Sequence, residues 1–225
     1  MKQGRKRFKV SEYITPIEAD IIIKSCLKER DRFILRVMWE TGGRIAEVLS
    51  LVPDHIDPVS NCIYLSNLKQ KKTSSGKPPL KRVFLFPEST LCKDLLQWTK
   101  DNEIERYEWI FRGQCRTGAK RGQVSTTYVW YLLSGVNRPM DKWKHKDGIA
   151  TSLGIRKMKG DKLKAAWPHL FRHGSAVNIL NRTQRLDVVQ KQLGHSSIMT
   201  TEGYASLQDD TRKKIIDGSK KQGGE

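Results

Sequence analysis

A chain of 225 residues can bury one sizeable core or two small ones. Its 37% hydrophobic content with six tryptophans excludes a disordered chain. Forty-two Lys and Arg against 24 Asp and Glu leave a formal charge of +18. That surplus favours a polyanionic partner, nucleic acid ahead of anionic lipid, because each cation placed on a phosphate releases condensed counterions. No apolar stretch approaches a membrane span, and the basic N-terminus lacks an apolar signal segment, so the chain reads as soluble and cytoplasmic with no membrane partner. Cys26, Cys62, Cys92 and Cys115 show no ligand-like spacing and read as reduced core residues.

Residues 1–12 carry a basic arm, with five Lys and Arg before residue 10 and no acid among those first nine. Thr15-Pro16-Ile17-Glu18 predicts a capped helix start, and Ile21, Ile22 and Leu27 follow at helical spacing. A second helix is expected over Phe33 to Trp39, stopping near Thr41-Gly42-Gly43. A third begins at Arg44, carries Ile45, Val48, Leu49 and Leu51 inward, and ends by Pro53. Cys62 to Leu65 and Arg82 to Phe86 are β-prone runs, read as a hairpin with a long Lys-, Ser-, Gly- and Pro-rich tip. Helical spacing returns from Ser89 to Thr99, and Glu108 to Phe111 reads as a short strand or turn. Ser125 to Leu133 reads as a helix with Trp130 and Leu133 on one side.

The segment from Val136 to Ala166 holds nine Lys and Arg against three Asp without strong periodicity, and reads as a long basic loop with room for a short helix. Helices are expected again at Pro168 to Asn181, Thr183 to Leu193 and around Ile198 to Tyr204. The fold class is mainly α with a small antiparallel β-sheet. Residues 13–207 read as one domain without an internal linker, and 208–225 as a tail with room for one more helix.

Three segments carry chemistry. Thr41-Gly42-Gly43-Arg44-Ile45-Ala46-Glu47 places an arginine at a helix start. Pro168-His169-Leu170-Phe171-Arg172-His173 puts His169 and Arg172 on one helix face, three residues apart. Leu193-Gly194-His195 is followed by Tyr204, nine residues beyond His195. Each has an ordinary reading: Arg44 paired with Glu47, a surface histidine beside an arginine, a half-buried tyrosine. Together and in this order, across roughly Tyr13 to Leu207, they resemble the boxes of the tyrosine recombinases, or phage integrases.

The resemblance implies a site-specific DNA recombinase that cuts and rejoins duplex DNA through a 3′-phosphotyrosine at Tyr204. It implies that Arg44 and Arg172 clamp the scissile phosphate, for which a planar, permanently charged fork is suited. His169 would accept the tyrosine proton, since a free phenol with a pKa of about 10 is a poor nucleophile at neutral pH. His195 would hydrogen-bond the phosphate, and Glu47 would orient a basic group. A hairpin lysine would protonate the leaving 5′-oxygen. Lys69, Lys71 and Lys72 all lie near the strand end, and Lys69 best matches the family's strand-then-Lys arrangement. No metal or nucleotide cofactor is implied, and two protomers per site give a DNA-bound homotetramer.

Two departures from the family stand out. Few residues precede the first helix, so the helical DNA-binding domain usual in the family is not expected, as in fimbrial-phase invertases or in a fragment. The basic stretch before the His-x-x-Arg box is also longer than expected. A type IB topoisomerase-like relaxing enzyme and a non-catalytic DNA-binding relative are the rival readings. A zinc site built from His145, His169, His173 and His195 lacks a completing acid or thiol.

The charge generates a direct expectation. DNA affinity should fall with salt along a log–log slope of several units, measured from low to moderate salt. A flat response would exclude phosphate-dominated binding.

Overall fold

The computed structural model describes residues 13–68, 76, 78–113, 122–135, 147–159 and 162–194. The predicted helix start is present. The Thr15 hydroxyl accepts from the Glu18 amide at 3.3 Å, and the Glu18 carboxylate accepts from the Thr15 amide at 2.8 Å. This capping box, with Pro16 in the first turn, opens α1 (Pro16–Lys24). Ala19, Ile22 and Ile23 face inward, whereas Ile21 is 42% exposed and Leu27 is 95% exposed. The helix stops at Lys24, so the spacing that would have carried Leu27 inward no longer applies.

Helix α2 (Glu29–Thr41) is longer than Phe33 to Trp39 and ends at Gly42, whose φ of 63° is left-handed. A Cβ there would strike the Leu193 side chain, so both conformation and space require glycine. Helix α3 (Ile45–Leu49) follows at once, and Val48, Leu49 and Leu51 are buried as expected.

Strands β1 (Ile56–Asp57), β2 (Cys62–Ser66) and β3 (Leu80–Phe84) form an antiparallel sheet in the order β1-β2-β3. Ile63 lies opposite Val83 and Leu65 opposite Lys81, so Lys81 occupies the sheet face that these three apolar residues bury. Helix α4 (Leu91–Asp101) buries Leu91, Leu95 and Trp98; the Trp98 ring lies 5.5 Å from Phe33 and 6.3 Å from Phe111. Glu108 to Phe111 is not a strand. Ile110 and Phe111 are fully buried there, and the Ile110 amide donates to the Leu51 carbonyl at 2.9 Å.

Helix α5 (Thr126–Ser134) is capped by Ser125 and buries Val129 and Leu133, leaving Trp130 partly exposed. It is tied to α2 through Asp31, a buried carboxylate that accepts from Arg30 at 2.8 Å and from the Tyr128 hydroxyl at 2.6 Å.

The described part of the basic stretch, residues 147–159 and 162–166, is more ordered than a loop. Besides the short helix α6 (Ile149–Ser152), it forms a hairpin of β4 (Arg156–Lys159) and β5 (Lys162–Ala165). The lysines that hid this hairpin in the sequence have specific partners. Lys157 is buried and paired with Glu18 of the α1 capping box at 2.7 Å. Lys159 lies 5.6 Å from the rings of both Trp130 and Trp167.

Helix α7 (Pro168–Thr183) runs through the middle of the packing, and α8 (Leu186–Leu193) folds back on it. Leu170 and Phe171 belong to the main core with α2, the sheet, α4 and α5. Ala176, Val177, Ile179 and Leu180 join Tyr13, Val189 and Leu193 in a smaller cluster. Among the described residues no helix is long and apolar enough to cross a membrane. Cys26, Cys62 and Cys92 are buried free thiols, and burial pushes Cys26 and Cys92 up to about 12. Cys115, the N-terminal arm and the tail from residue 208 lie outside the described residues.

Gly174 sets how closely α7 approaches the chain entry. A Cβ there would land on the Ile14 carbonyl and on the Trp39 ring. Gly174→Ala should therefore lower stability by about 1–3 kcal/mol in denaturant titration. An unchanged midpoint would show that this contact yields without cost.

Candidate active site

The site is assembled from three helix ends and one strand. Arg44 immediately precedes α3, with β-region backbone angles that make it the N-cap. One helical turn on, Glu47 is 2% exposed, and its carboxylate is held from several sides. Oε1 accepts from Arg44 Nη1 at 2.6 Å, Oε2 accepts from the Arg44 amide at 3.0 Å, and Lys81 Nζ lies 3.8 Å from Oε2. A buried carboxylate persists in charged form only with such partners. Arg44 keeps 22% of its side chain exposed, so the guanidinium is anchored at one edge and still reaches solvent.

Arg172 lies on the first turns of α7 and is 4% exposed. Its Nη1 donates to the Gly42 carbonyl at 2.7 Å and its Nη2 to the Leu193 carbonyl at 2.9 Å. These two bonds tie the turn that presents Arg44 to the end of α8, from which the chain continues into Gly194 and His195. His169 stands one turn before Arg172, exposed at the start of α7, with its ring 6.3 Å from that of His173.

Lys81, which the sequence reading did not single out, belongs to the same cluster. Its Nζ donates to the Leu193 carbonyl at 3.1 Å and faces Glu47, with 12% of the side chain exposed. Burial pulls its pKa down to about 8; Glu47 opposes this, while Arg172 and Arg44 reinforce it. The sequence carried one usable signal: with β3 beginning at Leu80 rather than Arg82, strand alternation puts Lys81 on the face of Val83.

Of the predicted site residues, Arg44, Glu47 and Arg172 are thus brought together, and His169 shares α7 with Arg172. Lys69, Lys71, Lys72, His195 and Tyr204 lie outside the described residues, as does His145. Two of the other tyrosines hold their phenol protons more tightly than a free phenol does. Burial raises the phenol pKa of Tyr13, and it raises that of Tyr128 to about 12, helped by the hydrogen bond to Asp31.

Chemically, the cluster presents cations at fixed positions around one buried carboxylate, an arrangement suited to a phosphate whose charge grows in a transition state. A mainly α fold carrying a small antiparallel sheet, with this cluster at its helix ends, defines a class. The phage integrase family profile matches residues 12–211, and the chain belongs to this family, the tyrosine recombinases.

Among curated relatives, tyrosine recombinase XerD of Lacticaseibacillus casei is 30% identical over 178 residues, covering 79% of this chain and 50% of the relative. The chain therefore spans about half the length of such relatives. Among solved structures, the XerH site-specific recombinase in a post-cleavage complex with palindromic difH substrate superposes with a TM-score of 0.66. The identity is 18%, over 93% of this chain and 53% of that one. The XerA recombinase gives 0.64 at 20% identity, over 92% and 64%. The fold is that of tyrosine recombinase catalytic domains.

The unequal burial of the two arginines predicts unequal structural roles. A lysine at 172 cannot donate to both carbonyls at once, so at least one of the two bonds is lost. Arg172→Lys should cost about 1–3 kcal/mol in denaturant titration. Arg44→Lys, at a partly exposed position, should stay within about 1 kcal/mol. Equal losses would refute the structural role given to Arg172.

Proposed function

We propose that this chain is the catalytic part of a site-specific DNA recombinase, cleaving and rejoining duplex DNA through a 3′-phosphotyrosyl bond at Tyr204. The observation that carries the reading is the Arg172 guanidinium, whose bonds to Gly42 and Leu193 join the segments of all three sequence boxes. Arg44 and Arg172 hold the non-bridging oxygens of the scissile phosphate. Phosphorus is attacked by the Tyr204 oxygen, the bond to the 5′-oxygen breaks, and the diester energy is kept in the new phosphotyrosine. His169, exposed at its helix start, takes the tyrosine proton; His195 hydrogen-bonds the phosphate; Lys69 protonates the leaving 5′-oxygen. The roles of Lys69, His195 and Tyr204 rest on family membership and on the order of the motifs.

Duplex DNA carrying recombination sites is the partner in this reading, in the cytoplasm, with two protomers per site and a tetramer at synapsis. Residues 208–225 dock onto a neighbouring protomer, and the basic arm of residues 1–12 follows the DNA backbone. Exposed Arg156, Lys159, Lys162 and Lys164 on the β4–β5 hairpin supply further phosphate contacts.

A nicked suicide duplex built on inverted repeats flanking the gene tests the reading, because the cleaved 5′ fragment diffuses away and traps the enzyme on the 3′ phosphate. The unaltered chain should give a denaturation-resistant adduct, and peptide mapping should place the nucleotide within Thr201 to Ser206. Tyr204→Phe removes one oxygen and should form no adduct while still binding DNA; an undiminished adduct would move the nucleophile elsewhere.

A 5′-bridging phosphorothiolate settles the hairpin lysine, since a thiolate leaves without protonation. Lys69→Ala should regain cleavage on that substrate, with Lys71→Ala and Lys72→Ala only mildly impaired on ordinary DNA. Rescue of Lys71→Ala instead would shift the assignment by two residues.

A further inference from the structure

We infer that Lys81 is a positioning residue of the strand-cleavage site, holding the C-terminal end of α8 and the Glu47–Arg44 pair in register from the sheet. This rests on the recombinase reading above and adds a residue to it.

The strand geometry is the starting point. Lys81 stands where the β3 pleat calls for an apolar side chain, opposite Leu65 and two residues from Val83, both fully buried. A lysine on such a face is costly unless its ammonium finds acceptors. It finds two: the Leu193 carbonyl at 3.1 Å and the Glu47 carboxylate at 3.8 Å. Leu193 is the last residue of α8, so its carbonyl is among those a helix leaves without an internal partner, at the negative end of the dipole.

Arg172 donates to the same oxygen at 2.9 Å. The end of α8 is therefore held by one cation from α7 and one from the sheet. The chain then turns through Gly194, whose φ of 66° is left-handed and whose added Cβ would lie 2.8 Å from Lys81 Cδ. The Lys81 stem thus packs closely against the backbone at Gly194, where the chain leaves α8. At its other contact Lys81 shares the Glu47 carboxylate with Arg44, so its charge bears on how Arg44 is held. Gln192 adds a second bond between the elements, donating to the Phe84 carbonyl at 2.6 Å.

The groups facing the ammonium are Glu47 of α3, Arg44 at its N-cap and Arg172 of α7. Burial and the two guanidiniums bring its proton off at about 8, so the clasp should be charged at neutral pH and weaken above that. A positioning lysine and a proton donor then behave differently. On the 5′-phosphorothiolate duplex no leaving-group proton is needed, yet cleavage should still fall as pH rises through about 8. Lys81→Arg keeps its charge and should move that fall upward. Lys81→Met should cleave at least about tenfold more slowly at pH 7 on both substrates.

Several results overturn the inference: normal cleavage by Lys81→Met, its recovery on the phosphorothiolate (which would make Lys81 the proton donor), or an unmoved alkaline fall in Lys81→Arg. Hydrogen exchange supplies a reading that needs no activity. Residues 186–194 should exchange faster in Lys81→Met, with the middle of α7 unchanged, and equal exchange would also overturn it. If Lys81→Met loses its cooperative melt, Lys81→Arg carries both measurements. Absence of an adduct from the unaltered chain would count against the recombinase reading instead, leaving the exchange result to decide the clasp.

Discussion

A guanidinium taken out of water must find acceptors for its donors, and the two described acceptors of Arg172 are both helix-end carbonyls. Gly42 caps α2 and Leu193 closes α8, so both carbonyls carry the partial negative charge of a helix C-terminus. Both helices also turn off through left-handed glycines, at Gly42 and Gly194. One buried side chain thereby satisfies the ends of two helices and fixes the distance between them. The Arg44 turn begins where α2 stops, and the path to His195 begins where α8 stops. The positions of both follow from how Arg172 is seated on α7, whose own seat depends on Phe171 against Trp39 and on the absence of a side chain at Gly174.

What could be read from the sequence was what local chemistry dictates. Thr15, Pro16 and Glu18 announce a capping box because the three residue types act within one turn. Gly42 announces a helix stop because few other residues adopt its backbone angles. The Arg44, His169 and Arg172 boxes were legible as ordered patterns whose members turn out to lie at the starts of two helices, α3 and α7. What could not be read depended on distant partners. Lys157 looks like a loop residue until Glu18, far away in sequence, appears beside it, and Lys159 until two tryptophans do. Leu27 misled for the opposite reason: its spacing was helical, but the helix had already ended. Lys81 was hidden by a two-residue difference in where β3 begins, enough to leave the lysine outside the strand.

The surplus of positive charge is spent unevenly. Several cations are structural: Arg30 with Asp31, Arg36 with Glu40 and Asp94, Lys157 with Glu18, and Arg182 with Glu88. The Arg36–Asp94, Lys157–Glu18 and Arg182–Glu88 pairs knit elements together, and all of these pairs are locally neutralised, so they add little to an attraction felt at a distance. The β4–β5 hairpin is different, with Arg156, Lys159, Lys162 and Lys164 exposed on two short strands whose one buried lysine is paired inward. Paired strands hold such charges at a more regular spacing than a loop of the same composition would.

At the cluster itself the balance is deliberately incomplete. Glu47 is one carboxylate among three described cations, Arg44, Lys81 and Arg172. Arginines keep their protons at any working pH, so only Lys81 can relieve crowding by giving one up. Its pKa is depressed first by burial, with Glu47 opposing and the positive potential of Arg172 and Arg44 adding to the fall. An anion placed between the guanidiniums would relieve the same potential, raising the lysine's pKa and keeping its bonds to Glu47 and Leu193 charged. By linkage the effect is reciprocal: protonation of Lys81 must favour the anion by as much as the anion favours protonation. In the recombinase reading, the scissile phosphate thus tightens the clasp on the C-terminal end of α8 as it arrives.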